Sequence, residues 1–352
     1  MAASARGQPT RPLMVDVARR AGVSHQTVSR VLNNHPNVRP QTRAGVLAAI
    51  RDLGYRPNAA ARTLVTGRTN ALGVISFDTT LYGPASMLYG IERAARPSYS
   101  VVIASLQAFD RRSLLGAVER LLDQGVEGII VIAPVMTAVA ALGGLAPDIP
   151  LVAVGCLADV PLSSVAIDNK AGAAQATQHL LDLGHETVYH VAGPGTWLDA
   201  QQRIAGWRDA LHAGQAAEPE LLRGDWSARS GYELGHRLSR MPDVTAVLCG
   251  NDSMALGLLR AFAERGRKVP DDVSVVGFDD IAEAPYFLPP LTTVRQNFGE
   301  LGRRALHLLM EHIADGQPQG SPLPISPDLV VRASTAPPRA VARAARGASS
   351  RA

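Results

Sequence analysis

The sequence has little cysteine: Cys156 and Cys249 are its two thiols in 352 residues. Two thiols make neither a disulfide framework nor a zinc cluster, so a reducing compartment is expected. Long apolar runs are missing as well. No stretch approaches the roughly 18 residues that a bilayer-spanning helix requires, and the opening MAASARGQPTRP lacks the apolar segment of a signal peptide. A cytoplasmic protein with no membrane partner is the expectation. Catalytic fingerprints are absent too. There is no phosphate-cradling P-loop, no GxSxG elbow and no metal-spaced His/Cys cluster, and the GPG at 193–195 reads as a turn. The adjacent carboxylates Asp279 and Asp280 are the sole hint of acid–base work. Hence no enzyme, no catalytic residue, no metal and no cofactor is expected.

What the chain does have is an uneven distribution of charge. Its 46% hydrophobic and 19% charged residues are those of an ordinary globular protein, and the net charge is only +4. Yet residues 1–68 hold 11 Lys/Arg against 2 Asp/Glu, residues 69–331 hold 19 against 29, and residues 332–352 hold five arginines and no acid. A basic head on an acidic body fits a partner that is a polyanion, because Lys and Arg displace the counterions condensed on nucleic acid.

The length exceeds one typical core and implies two or three domains. Apolar spacing and punctuation predict helices over Met14–Ala21, Ser24–Leu32 and Pro40–Leu53, the last opened by proline and stopped by Gly54. A further short helical patch covers Asn58–Leu64, and the polar stretch Thr66–Asn70 marks a boundary. From Ala71 onward, apolar β-rich runs alternate with stretches of helical length: 71–75, 100–105, 128–133, 151–155, 187–193, 246–250 and 273–278. Continuous apolar strands require burial on both faces, which predicts a doubly wound α/β body of two units sharing a cleft. Ligands of such sheets bind beyond the carboxyl ends of the strands.

In the head, Val15, Val17 and Ala18 are expected to face inward from the first helix, Gly22 to make the turn, and Val28, Val31 and Leu32 to face inward from the second. Ser24 suits the N-cap of that second helix. His25, Gln26, Thr27, Ser29 and Arg30 lie near its start, where a recognition helix meets base edges and phosphates, Gln reading adenine and Arg guanine or phosphate.

The pattern DVA-x-x-AGVS-x-x-TVSRVLN, followed by Gly54-Tyr55-Arg56-Pro57-Asn58 and Ala61-Arg62-x-Leu64, resembles the lactose/galactose repressor family of bacterial transcription regulators. The resemblance implies DNA contacts from Asn33, Tyr55, Asn58, Ala61 and Arg62 in addition to the recognition helix. It also implies a hinge segment that becomes helical on the operator and inserts Leu64 into the minor groove, unstacking a step to bend the duplex. Two half-sites then imply a homodimer on double-stranded palindromic DNA. Leu13 departs from the Thr that relatives usually place there as a cap, and His25 departs from their commonest reading residues, so no relative's operator can be copied.

The resemblance continues over about residues 13–331, through DNKAGAAQATQHLLDLGH, GPGTWLDAQQRIAGW, GDWSARSGY, GNDSMALGLLRA, VSVVGFDD and PPLTTVRQNF. It implies a periplasmic-binding-protein type of body: two lobes, three crossings, and a return to the first lobe after Phe298. Arg203, Asn251, Asp279 and Trp226 match the family's sugar-contacting pattern. An Arg fork and a carboxylate suit vicinal hydroxyls, an amide both donates and accepts, and an indole covers a pyranose face. Their structural alternatives stay open: a turn cap for Asp279, a helix cap for Asn251, core for Trp226. Trp197, Asp199, Phe77, Asp78, Tyr82 and Gln296 fall near the cleft, and several aromatics suggest a sugar longer than one ring. Gly155 and Ala108 stand where some members carry a sugar-binding Asp and an Arg, which speaks against a galactoside.

The expected organisation is therefore a disordered start (1–12), a helix-turn-helix domain (13–57), a hinge helix and linker (58–68), a two-lobed effector and dimerisation domain (69–331), and a disordered basic tail (332–352). That tail carries Val341 without a leucine partner, so no tetramerising seam is expected. A sugar-released repressor is the main reading. A phosphosugar or purine co-repressor on the same scaffold, or a solute-binding protein without DNA function, are the alternatives.

Overall fold

The computed structural model describes residues 12–32, 35–55, 68–142, 149–155, 162–316 and 323–339. The hinge positions Asn58, Ala61, Arg62 and Leu64, together with Asn33, Cys156 and Val341, lie outside the described residues. Two compact units divide between Thr69 and Asn70.

In the first unit, three helices run Met14–Ala21, His25–Leu32 and Pro40–Leu53. Val17, Ala18, Val28, Val31, Val46, Ala49 and Tyr55 form its buried core. Gly22 takes φ +65° and turns the first helix toward the second, as the sequence predicts. Ser24 lies just before the second helix, and its Oγ accepts from the Thr27 N–H at 3.2 Å. Leu13 brings no acceptor to cap the first helix, but Asp16 reaches back to the Leu13 N–H at 2.9 Å. Val15 corrects the sequence reading: it is exposed, because the inward stripe at helical spacing runs through Met14, Val17, Ala18 and Ala21, and Val15 lies about 100° to one side of it.

The second unit holds two sheets. The first has β1 (Ala71–Phe77), β2 (Ser100–Leu106), β3 (Ile129–Ile132), β4 (Leu151–Val154) and β5 (Ser164–Val165), all parallel, in the order β2-β1-β3-β4-β5. The second has β6 (Tyr189–Ala192), β7 (Leu222–Arg223), β8 (Ala246–Cys249), β9 (Ser274–Asp279), β10 (Thr292–Arg295) and β11 (Asp328–Val330), in the order β11-β10-β9-β8-β6-β7. Only β11 runs antiparallel.

Burial on both faces accounts for the continuous apolar runs of the inner strands, whereas β2, at the sheet edge, buries only Leu106 and leaves Ile103 exposed. In β3, Ile129 and Val131 pack toward the helices Arg111–Asp123 and Met136–Leu142, whereas Ile130 and Ile132 pack toward Tyr82–Ala95 and Phe298–Asp315. The second sheet is covered likewise. Trp207 and Leu211 of Leu198–Ala213 lie on one side, and Leu258 and Phe262 of Asp252–Glu264 lie on the other.

The chain crosses between lobes after β5, after β10, and again before β11, since helix Phe298–Asp315 packs in the core of the first sheet. Backbone bonds join the lobes as well: Met136 N–H to the Thr196 carbonyl and Leu198 N–H to the Pro134 carbonyl, both 2.9 Å.

The basic tail expected to be disordered from 332 starts as ordered chain. Ser334 is fully buried, its Oγ donating to the Val275 carbonyl at 2.6 Å and accepting from the Thr292 N–H at 2.8 Å. Arg332 donates to the Leu291 carbonyl and to Asp280, each at 2.7 Å. Composition alone hid this, because an arginine-rich stretch reads as solvated surface and the partners of Arg332, Ser334 and Thr335 lie far away along the chain.

Candidate functional site

Helix His25–Leu32 buries Val28 and Val31 and leaves His25, Gln26 and Arg30 exposed, with Thr27 and Ser29 half-buried. A polar face at the start of a helix, with free side-chain donors and acceptors, is what base-edge reading needs. Among the described residues expected to contact DNA, Tyr55 is the exception. It is only 7% exposed and belongs to the head core, so its ring serves packing.

In the second unit the carboxyl ends of the second sheet converge on Arg203, which helix Leu198–Ala213 presents at 4% exposure. Its Nε donates to Asn169 Oδ1 at 2.8 Å, and Nη1 donates to the Gly250 carbonyl. Nη2 stands 3.7 Å from Asp279 Oδ1, an ion pair without a hydrogen bond. The guanidinium plane lies 3.8 Å from the Phe278 ring centre. Asn169 also donates to Asp199 Oδ1 at 3.2 Å, so one amide ties the arginine to a second buried carboxyl.

Asp279 accepts from Gln296 Nε2 at 2.7 Å, and the Gln296 Oε1 is buried without a hydrogen-bond partner among the described residues. Burial pushes the Asp279 carboxyl up to about 6, outweighing the opposing pull of Arg203 and the Gln296 bond. Asp199 is raised for the same reason, again against Arg203. Behind them Asp252, fully buried, accepts from Thr293 Oγ1 at 2.6 Å and from the Ile281 N–H at 2.9 Å. Burial, reinforced by the nearby Asp279, pushes it up to about 8.

Asn251 caps helix Asp252–Glu264: Oδ1 accepts from the Met254 N–H at 2.8 Å, and Nδ2 donates to the Trp226 carbonyl at 3.0 Å. The capping alternative is thus realised, and the same side chain holds the Trp226 backbone. Trp226 is 7% exposed, its Nε1 without a partner among the described residues. Its ring lies over Gly193, where a Cβ would stand 2.1 Å from the nearest indole carbon, so glycine is needed for this approach. The edge of Trp226 meets Trp197, centroids 5.8 Å apart at 79°. Trp197 in turn meets Phe77 of the first lobe at 6.3 Å and 45°, and Phe77 meets Phe109 at 6.2 Å. Tyr82, also from the first lobe, is 38% exposed, and its hydroxyl is raised by burial and then by the charge of Asp279.

Arg203, Asn251, Asp279, Trp226, Asp199, Gln296, Trp197, Phe77 and Tyr82 are therefore drawn into one region. Asp78 is not: it is exposed, and its carboxylate bonds Thr80. Sequence reasoning missed Asn169, Asp252, Phe278 and Phe109. Asn169 opens a helix after a strand and so reads as a cap, and nothing local marks Asp252 as buried. Positive φ at the non-glycine residues Asp78, Trp226, Asp279 and Asp280 is a further feature invisible in sequence, and strained backbone of this kind collects at functional sites. Among the described residues, no group of three or more His, Cys, Asp or Glu could hold a metal ion, and no helix is long and apolar enough to cross a membrane.

Comparison with known proteins places both units. Residues 13–58 match Bacterial regulatory proteins, lacI family, and residues 177–335 match the periplasmic binding protein-like domain. The lactose operon repressor of Escherichia coli (strain K12) is 35% identical over 339 residues, 94% of each chain. Among solved structures, the lac repressor dimer bound to operator and the anti-inducer ONPF superposes with a TM-score of 0.81 at 33% identity, covering 93% of this chain and 100% of that one. A complex of the transcriptional regulator CelR with cellobiose gives 0.68 at 32% identity, covering 92% and 100%.

Proposed function

We propose that this chain, which belongs to the lacI family of bacterial regulatory proteins, is a DNA-binding transcriptional repressor released from a palindromic operator by a small sugar. It acts as a homodimer in the cytoplasm, without catalysis, on genes of sugar uptake or breakdown. One observation carries the reading: a head whose second helix exposes His25, Gln26 and Arg30 shares a chain with a body that gathers Arg203, Asp279, Gln296 and Trp226 at the carboxyl ends of one sheet. The relatives act as repressors on operator DNA, and one neighbour's ligand is a sugar.

In this reading Gln26 and Arg30 contact base edges and phosphate, with His25, Thr27, Ser29 and Ser24 beside them. Asn33, Asn58, Ala61, Arg62 and Leu64 complete the DNA surface as the hinge orders, Leu64 wedging a central step. In the body, Arg203 and Asp279 grip vicinal hydroxyls, Asn251 fixes the Trp226 backbone, and the indole takes a pyranose face. Because coupling is reciprocal, a sugar that weakens operator binding binds the DNA-bound form less tightly by the same factor.

The test is a titration of purified protein on DNA fragments flanking its own gene, with and without a panel of mono- and disaccharides. Salt-sensitive binding to one palindrome, reversed by one sugar, is the expected result. Operator affinity that rises with every bound sugar would overturn release. Leu64→Ala is expected to weaken specific DNA binding and spare sugar binding, and Arg203→Ala to do the reverse.

A further inference from the structure

We propose that the stretch 332–336 is a strap fastened across the amino ends of the second sheet by two histidines, His179 and His185, and that it opens on acidification. The switch is independent of what the head or the cleft binds. Two observations carry it.

The first is where the strap lies and what fastens it. Thr245, Ser274 and Thr292 stand at the amino ends of β8, β9 and β10, the opposite end of the sheet from Asp279 and Gln296. The strap follows β11, the strand that receives the chain after its third crossing between the lobes, so it anchors the far side of that crossing. The Val275 N–H donates to the Ser334 carbonyl at 2.9 Å. Both backbone groups of Ala336 are taken as well: its N–H donates to Ser274 Oγ at 3.0 Å, and its carbonyl meets His185 Nε2 at 3.1 Å. Beside it, His179 Nε2 meets Thr335 Oγ1 at 3.0 Å. One imidazole thus fastens the backbone of the strap and the other a side chain.

The second is what surrounds each imidazole. His185 is 5% exposed. A carbonyl can only accept, so Nε2 carries the ring proton, and Nδ1 accepts from the Thr245 hydroxyl at 3.0 Å. The neutral ring is therefore satisfied at both nitrogens. Thr245, Ser274 and the Ala336 carbonyl bring no charge, and among the described residues the titratable group that acts on His185 is His179, a like charge once both rings are protonated. His179, half-buried on helix Asn169–Asp182, has Asp182 beside it, whose pull burial outweighs. The cations flanking the strap, Arg332 and Arg339, are paired with Asp280 and Asp272, each at 2.7 Å. Burial holds both imidazoles below the ordinary histidine range while the strap is closed. Lifting the strap admits water to the rings, and proton uptake then favours the open form. An imidazole charged only in the open form raises opening by up to about tenfold between pH 7.5 and 5.5.

The experiment is hydrogen exchange on the full chain at pH 7.5 and 5.5, each rate corrected for the intrinsic pH dependence of amide exchange. The amides that the strap fastens, those of Val275, Thr292 and Ala336, are expected to open at least threefold more often at pH 5.5, roughly half a decade of the decade that one imidazole supplies. Those of Val247 and Leu248 inside β8 are expected to stay as protected as before. His185→Gln keeps an N–H for Ala336 and an oxygen for Thr245 but takes up no proton, so it is expected to remove most of the response, and His179→Gln added to it the remainder. Should glutamine fasten the strap poorly, opening rises by the same factor at both pH values and the response still vanishes. Equal exchange at both pH values in the parent chain, or a response that survives both substitutions, would overturn the switch. Matching acceleration inside β8 would overturn it too, as a loss of stability of the whole sheet.

Discussion

Gln296 donates from Nε2 to Asp279 Oδ1 at 2.7 Å while its own Oε1 is buried and has no hydrogen-bond partner among the described residues. The bond joins the carboxyl ends of two neighbouring parallel strands, since Arg295 of β10 is in register with Asp279 of β9. An unpaired buried carbonyl costs about 1–3 kcal/mol, so a ligand hydroxyl that reaches it removes that cost. Gln296→Ala is expected to weaken sugar binding roughly tenfold, about 1.4 kcal/mol, and to leave operator affinity in the absence of sugar unchanged. Calorimetry and a DNA-binding titration on the same preparation check this.

Arg203→Lys keeps the charge and loses the fork. An ammonium cannot span Asn169, the Gly250 carbonyl and Asp279 at once, which leaves buried polar groups unpaired. The expected cost is about 1–3 kcal/mol of stability, with roughly a hundredfold loss of sugar affinity, about 2.8 kcal/mol. A melting curve and a sugar titration read the two effects separately. Sugar affinity within threefold of the parent would remove Arg203 from the site.

Two buried carboxyls set two pH dependences. Asp252, pushed up to about 8, holds its proton in the folded state where the unfolded chain has released it. Its contribution to stability is therefore full below the ordinary carboxylate range and is lost as pH rises through about 8. Asp252→Asn keeps an acceptor for the Ile281 N–H and offers an N–H to Thr293, so the fall in Tm between pH 6 and 8 is expected to flatten. Asp279, at about 6, accepts from sugar hydroxyls best when ionised, so sugar affinity is expected to fall as pH drops below 6. Titrations from pH 5 to 8 test it, and a flat profile would contradict the role of Asp279.

Gly193→Ala places a methyl where the Trp226 indole lies. The ring must move, because the added carbon would stand 2.1 Å from it, while the Asn251 bond keeps the Trp226 carbonyl in place and Trp197 packs against the indole. Sugar affinity is expected to drop at least tenfold with a shift in tryptophan emission, while the head reads DNA as before. An unchanged spectrum would show that the indole does not rest on Gly193.

Much of the frame was legible because its signals are local. Strands buried on both faces must be apolar throughout, so β1, β3, β4, β8 and β9 were visible as runs, and proline, glycine and serine punctuated the three head helices. The short strands Ser164–Val165, Leu222–Arg223 and Asp328–Val330 were not, since two or three residues carry no periodicity. Thr292–Arg295 was missed for another reason. Its threonines look polar but are fully buried, their hydroxyls meeting Asp252 at 2.6 Å and Thr335 at 3.3 Å. The same hidden pairing conceals the anchored stretch around Ser334.

The sequence by itself determined a basic helical head, a polar reading helix and a two-sheet body, because each depends on neighbours within a few turns of chain. Only the tertiary structure decided the site. Asn169, Asp199, Arg203, Gly250, Asp279 and Gln296 are scattered along the body, and folding alone brings them within hydrogen-bonding and ion-pair reach. The charge states of Asp252 and Asp279 belong to the fold for the same reason. Exclusion of water sets them, and exclusion of water is a property of the packed lobes rather than of any segment of the chain.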